Sequence, residues 1–137
     1  MTDAALLDLT NKSARQPIDD EDLEAAEEAA GLALRDGESV ILYTGTGASS
    51  PGGYLSRNGA EYLEFKGVRL VGIDADSIDS AQSGEMAAHR VLLSRNILII
   101  EGLRNLGSID SARFRLVSFP LKLTGATSPV RAVAIVE

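Results

Sequence analysis

Val71–Ser80 reads VGIDADSIDS, Ala87–Leu106 reads AAHRVLLSRNILIIEGLRNL, and Phe119–Glu137 reads FPLKLTGATSPVRAVAIVE. The first two stretches decide the fold. Val68–Ile73 is a short continuous apolar run, as a strand covered on both faces requires. Glu85–Arg95 reads as a helix, and Ile97–Ile100 (ILII) is a second buried-type strand. Strand, helix and strand in that order make the unit of a parallel sheet. His89, the sole histidine, falls in the helix, and Glu101 comes twelve residues later, directly after the second strand.

Working outward, the same alternation extends toward the N-terminus. Leu6–Thr10 (LLDLT) suits a short strand. Asp19–Arg35 is the clearest helix: Asp19 can cap it, acidic residues crowd its first turn, and Gly37 lies just past its end. Leu23, Ala26, Ala30, Ala33 and Leu34 give it an apolar stripe. Ser39–Tyr43 (SVILY) is another buried strand. Thr44–Ser56, rich in Gly and Ser, reads as a loop. Asn58–Lys66 forms a short helix ended by Gly67, and Asp74–Gly84 is polar and irregular. Beyond Ile100 strands succeed one another directly, at Phe114–Leu123 and Val130–Val136. Pro120 predicts that the first of these is an edge or bulged strand. The layout is α/β, partly parallel, with a β-rich end and no linker long enough to divide residues 1–137 into two domains.

Composition excludes several classes of function. With 45% apolar and 24% charged residues the chain reads as globular, and with only 4% aromatics its core must rest on Val, Ile, Leu and Ala. A net charge of −7 opposes binding to nucleic acid or to an anionic membrane surface. There is no cysteine, so disulfides and thiolate metal sites are excluded. Neither a signal peptide nor an apolar run of transmembrane length stands out, which makes the cytoplasm the expected compartment.

Four groups of residues can carry chemistry. Imidazole and carboxylate are the usual ligands of zinc or manganese where cysteine is absent, which singles out His89 and Glu101. A lone histidine beside a helical core face is more often a structural or surface residue, and the spacing alone is a weak signal of a ligand. Asp74, Asp76 and Asp79 suggest a cation site, but residues of this type also satisfy loose backbone groups in turns, and the EF-hand spacing is missing. Gly45-Thr46-Gly47-Ala48-Ser49-Ser50 comes after a strand as a phosphate loop would, yet it has no third glycine, no helix after it and no Lys-Ser/Thr pair. Thr124–Arg131 builds a Gly and Ser-Pro turn between two strands, with Ser128 as a polar contact.

Ala88-His89-Arg90-Val91-Leu92-Leu93 and Ile100-Glu101-Gly102-Leu103-Arg104-Asn105-Leu106 together resemble the A-H-x-x-L-L and I-x-E-x-L-x-N-L segments of the cyclase family of metal-dependent hydrolases, which includes bacterial kynurenine formamidases and isatin hydrolases. The resemblance runs from LLDLT to the C-terminus. It implies a β/β/α fold, a mixed sheet flanked by helices and extra strands, of which residues 1–137 would be the C-terminal part of one domain. It implies His89 and Glu101 as metal ligands, and a pocket shaped by Thr44, Gly45, Asp74 and Ser128. Where the family often has Trp after T-G, this chain has Thr46, so a stacking contact is lost. The family's main metal motif, H-x-G-T-H-x-D-x-P-x-H, is absent from the 137 residues. By the resemblance, that motif would supply two histidines and an aspartate as ligands and a further histidine for proton transfer.

The implied function is hydrolysis of an amide or lactam in a small molecule, with zinc or manganese as cofactor. The site would be completed by self-association or by a partner chain that supplies the missing motif. The alternatives are a non-catalytic binding or regulatory subunit, and a truncated relative with no independent role.

Overall fold

The computed structural model describes residues 1–46 and 51–137. In chain order its elements are β1 (Thr2–Asp8), β2 (Pro17–Ile18), α1 (Asp20–Ala29), β3 (Ser39–Tyr43), β4 (Tyr54–Leu55), α2 (Arg57–Phe65), β5 (Leu70–Ile73), α3 (Ala87–Ser94), β6 (Leu98–Ile100), a 3-10 turn at Leu106–Ser108, β7 (Arg113–Pro120) and β8 (Val130–Ile135). Six strands form one mixed sheet in the order β6-β5-β3-β1-β7-β8. The β1, β3, β5 and β6 strands run parallel, while β7 is antiparallel to β1 and β8 antiparallel to β7. The β2 and β4 strands form a separate parallel pair.

Side chains alternate across the parallel strands and so divide the core in two. Ala5, Leu7, Val40, Leu42, Val71 and Ile73 point to the face where α1, α2 and α3 lie, and meet Leu23, Leu63, Ala88 and Leu92. Ala4, Ile41 and Leu70 point the other way, toward Ile100, Leu106, Phe114 and Leu116. All three helices therefore cover one face. The other face is closed by the curl of the β7–β8 hairpin and by the segment after Glu101. Thus the α/β, β/β/α expectation holds, with a mixed sheet flanked by helices.

Several boundaries differ from the sequence reading, each for a physical reason. The first strand is Thr2–Asp8 instead of Leu6–Thr10, because the Asp8 carboxylate turns back to accept from the Thr10 amide (2.9 Å) and hydroxyl (2.6 Å). Helix α1 stops at Ala29, well short of Arg35. Gly31 takes a left-handed φ of 64°, and the buried Glu27 carboxylate accepts the Leu34 amide at 2.7 Å. Helix α3 begins at Ala87 instead of Glu85, since Met86 is itself left-handed. The short β4 strand lies inside the expected Thr44–Ser56 loop. Strand β7 is not an edge strand: it lies between β1 and β8. Pro120 is accommodated because β1 pairs only with Arg113–Leu116, leaving the end of β7 with one neighbour. Gly47–Ser50, part of the phosphate-loop reading, lie outside the described residues.

Candidate functional site

The site is built where β5 and β6 end. After Ile73 the chain runs through Asp74–Gly84 before entering α3, and this polar stretch is laced to the segment beyond β6. The Gly102 amide donates to the Ala75 carbonyl (2.8 Å) and the Leu103 amide to the Ile73 carbonyl (3.0 Å). Arg104 adds a third tie, from Nη1 to the Asp74 carbonyl at 2.7 Å. Two consecutive strand ends are thus held side by side, at the edge of the sheet where α/β proteins build sites.

Asp79 organises the start of α3. Met86, left-handed, gives this helix no side-chain cap. The buried Asp79 carboxylate takes that role from outside the helix, accepting the Ala88 amide (2.7 Å) and the His89 amide (3.0 Å). A carboxylate at a helix N-terminus is favoured by both the free N–H groups and the dipole. The same oxygen that holds the His89 amide lies 2.6 Å from Nδ1 of the His89 ring. Opposite, Nε2 lies 3.2 Å from Oε1 of Glu101, which is itself fixed by the Ile78 amide at 2.8 Å. His89 is therefore clamped between two carboxylates, each anchored by backbone.

The clamp sets the chemistry of the ring. With Nδ1–H donating to Asp79, the Nε2 lone pair confronts a carboxylate oxygen, and two lone pairs in register need a cation between them. A proton satisfies the requirement, as does a metal ion. The 3.2 Å separation of Nε2 and Oε1 is close to the spacing of two neighbouring corners of a tetrahedral zinc site, about 3.4 Å for bonds of about 2.1 Å. A carboxylate on the far ring nitrogen is the usual orienting partner of a ligating histidine. Among the described residues, however, no group of three or more His, Cys, Asp or Glu side chains is placed to hold one metal ion, because Asp79 meets His89 on the far side of the ring from Glu101. His89 and Glu101 fit as two ligands of a metal; they do not make a site by themselves.

The other residues singled out from the sequence fall in two places. Asp74 is buried and fully engaged: Oδ1 accepts from the Thr44 amide (3.0 Å) and hydroxyl (2.6 Å), and Oδ2 from the Thr46 amide (3.1 Å). Thr44 and Asp74 thus knot the ends of β3 and β5 together, with Gly45 making the turn at a φ of 72°. Thr46 continues the knot, sharing a 2.6 Å hydrogen bond with Thr44 and accepting the Gly52 amide. Thr46 and Asp79 line one cleft of about 300 Å³, together with Tyr54 and Ser77. Ser128 lies elsewhere, in a cleft of about 600 Å³ between β6 and the tip of the β7–β8 hairpin, which Glu101 also lines. Glu101 therefore shares one cleft with Ser128, while Asp79, on the other side of the His89 ring, shares the second cleft with Thr46 of the Thr44–Asp74 knot. Ser128 spends its hydroxyl on the Leu121 and Pro129 carbonyls, both at 3.0 Å, and has no base beside it.

Sequence reasoning assigned Asp79 to turn capping and missed its bond to His89. Nothing in the spacing marks it, since the segment from Asp79 to Met86 has no periodicity to place it in space.

The comparisons with known proteins agree with this fold. The sequence pattern of the putative cyclase family matches residues 1–80, and the chain belongs to that family. It is similar to the kynurenine formamidase of Bordetella avium (strain 197N), with 45% identity over 74 residues, 53% of this chain and 35% of that protein. A solved structure described as a potential metal-dependent hydrolase with cyclase activity is 32% identical, with a TM-score of 0.78 over 97% of this chain and 64% of that one. An isatin hydrolase bound to the product analogue thioisatinate shares the fold, with a TM-score of 0.79 at 21% identity. The matched region is about a third of the curated relative's length, and the chain covers under two thirds of the solved structures.

Proposed function

We propose that this chain carries part of the active site of a metal-dependent hydrolase acting on an amide or lactam bond of a small molecule, such as an N-formyl amide. His89 and Glu101 are the two metal ligands it contributes. The observation that carries this reading is the clamped imidazole: Asp79 fixes the tautomer, leaving Nε2 and Glu101 facing each other with a cation-sized requirement between them. Zinc or manganese bound there supplies acidity to water and polarises a carbonyl.

This chain's own residues account for the rest of the arrangement. Asp79 aims the ring and raises its basicity as a ligand. The Ile78 amide orients the Glu101 carboxylate. The cleft shared by Glu101 and Ser128, walled by Leu70, Ile100, Pro120 and Val130, gives a small apolar substrate a place next to the ligands. The remaining ligands and the proton-transfer group must come from outside the described residues. A catalytic zinc site needs about three protein ligands, and we propose that a second copy, a partner chain or a further part of the same protein supplies the rest, since residues 1–137 span under two thirds of the solved relatives.

Native mass spectrometry with metal analysis on chelator-free protein tests the reading. The expected result is an assembly holding zinc or manganese that hydrolyses N-formyl or cyclic amides, with the metal lost in His89→Ala and Glu101→Gln. A metal-free species indifferent to both substitutions overturns it. The absence of a third converging ligand among the described residues favours one other reading, a non-catalytic binding subunit of the same fold. Metal retention discriminates the two.

A further inference from the structure

We propose that Arg104 is a positioning residue for Glu101, fixing the backbone that carries the carboxylate and with it the distance from the carboxylate to the His89 ring. The inference rests on Glu101 being the metal ligand proposed above. Glu101 comes directly after β6, a strand of three residues that pairs with β5 alone among the described residues. The Ile78 amide holds the tip of its side chain, 2.8 Å from Oε1. Its backbone needs a separate anchor, because Gly102 turns the chain immediately afterwards at a φ of 69°.

That anchor is the lacing of 102–104 onto the end of β5. The Gly102 and Leu103 amides make two of its bonds. The Leu103 side chain lies on Gly72, where a Cβ would come within 2.8 Å of it. Arg104 supplies the side-chain bond. Its Nη1 donates to the Asp74 carbonyl at 2.7 Å and to the Leu103 carbonyl at 3.0 Å, so the guanidinium spans the gap between the two segments. Nη2 reaches Asp76 at 3.3 Å, but the Asp76 side chain is 92% exposed and that ion pair adds little. The charge-assisted bond to the buried strand end is the stronger contact.

Segment 74–78 is thus gripped at both ends by side chains three residues apart, Arg104 on the Asp74 carbonyl and Glu101 on the Ile78 amide. The segment itself is fixed elsewhere. The Asp74 carboxylate holds Thr44 and Thr46, and the Ile78 carbonyl accepts the Leu55 amide at 2.8 Å. His89 is fixed in turn by Asp79. Loss of the guanidinium therefore frees Glu101 and leaves its partners in place. A lysine at 104 can reach one carbonyl but lacks the fork that spans two.

Hydrogen exchange read amide by amide on the metal-free protein tests this. Glu101→Ala sets the rate of an uncovered Ile78 amide. Arg104→Leu is expected to speed Ile78 exchange about tenfold toward that rate, with Val40 and Leu42 unchanged. Arg104→Lys should recover part of the protection. Zinc titrated into the same proteins should bind about tenfold more weakly to Arg104→Leu than to wild type. An Ile78 rate indifferent to Arg104→Leu overturns the proposal. So does equal acceleration at Val40 and Leu42, which marks a general loosening, or zinc affinity equal to that of a wild type that binds it. A wild type that binds no zinc overturns the metal reading alone, and the Ile78 rates still decide whether Arg104 positions Glu101.

Discussion

Asp79 illustrates how one side chain serves stability and chemistry together. It caps α3 through two amides and holds the His89 ring through the same carboxylate. Asp79→Ala is therefore expected to cost about 1–2 kcal/mol, the upper range for a lost cap, measured by urea unfolding. Asp79→Asn keeps one acceptor oxygen, so most of the stability should survive while any metal affinity falls about tenfold or more as the ring loses its anionic partner. Equal losses in both properties would argue that the contact with His89 has no role beyond capping. In the first turn of α1, Asp22 gives a pH signature. Its burial raises the carboxyl pKa, but the Asp19 amide and the Lys12 ammonium, each 2.9 Å away, outweigh that and hold it below the ordinary value of 3.8. A depressed folded-state value means the stabilisation is complete above the unfolded value and is lost as pH falls through the folded one. Asp22→Asn should thus be less stable than wild type by about 1 kcal/mol at pH 7, and the gap should close in acid below about pH 3.8. A gap that does not change between pH 7 and pH 3 would remove the carboxylate as its cause.

Among the elements, the parallel strands were legible because their apolar runs are continuous. Ser39–Tyr43 is the expected strand residue for residue, and Ile73 and Ile100 end their strands as read. The end of α1 was not legible, because the apolar stripe runs on through Ala33 and Leu34 although the helix has stopped. What ends it is a tertiary contact. Glu27 accepts not only the Leu34 amide but also the Tyr62 hydroxyl of α2 at 2.5 Å, with Lys66 at 3.4 Å. Burial and the Glu27 carboxylate together push the Tyr62 hydroxyl well above the ordinary phenol range. Glu27 therefore closes α1 and joins it to α2. Glu27→Ala leaves a buried amide without its partner and should cost about 2–3 kcal/mol, whereas Glu27→Gln, which still accepts from the Leu34 amide, should cost less. A calorimetric comparison with Tyr62→Phe separates the amide contact from the hydroxyl contact. The candidate site divides along the same line. His89 and Glu101 were visible by residue type and motif, while Asp79 was hidden because a carboxylate in a polar loop has no period to reveal its direction.

Across the whole molecule, the sheet is sealed in the middle and open at both ends. Strands β1 and β3 are flanked on both sides, with Leu7, Val40 and Leu42 fully buried. At one edge, β6 leaves Leu98 59% exposed beside the cleft it shares with the hairpin tip, and beyond that cleft Leu121 and Leu123 are exposed as well. At the other edge lies β8. Apolar surface spread in this way marks contact surfaces. Hydrogen exchange should reproduce this gradient. Amides of Ala4–Leu7 and Val40–Leu42 are expected to exchange only through global opening, because both neighbouring strands must part to free them. In β8, a dilute monomer should exchange every second amide within the dead time, since alternate N–H groups point to the open edge. Uniformly slow exchange along β8 would instead show that its outer N–H groups are covered.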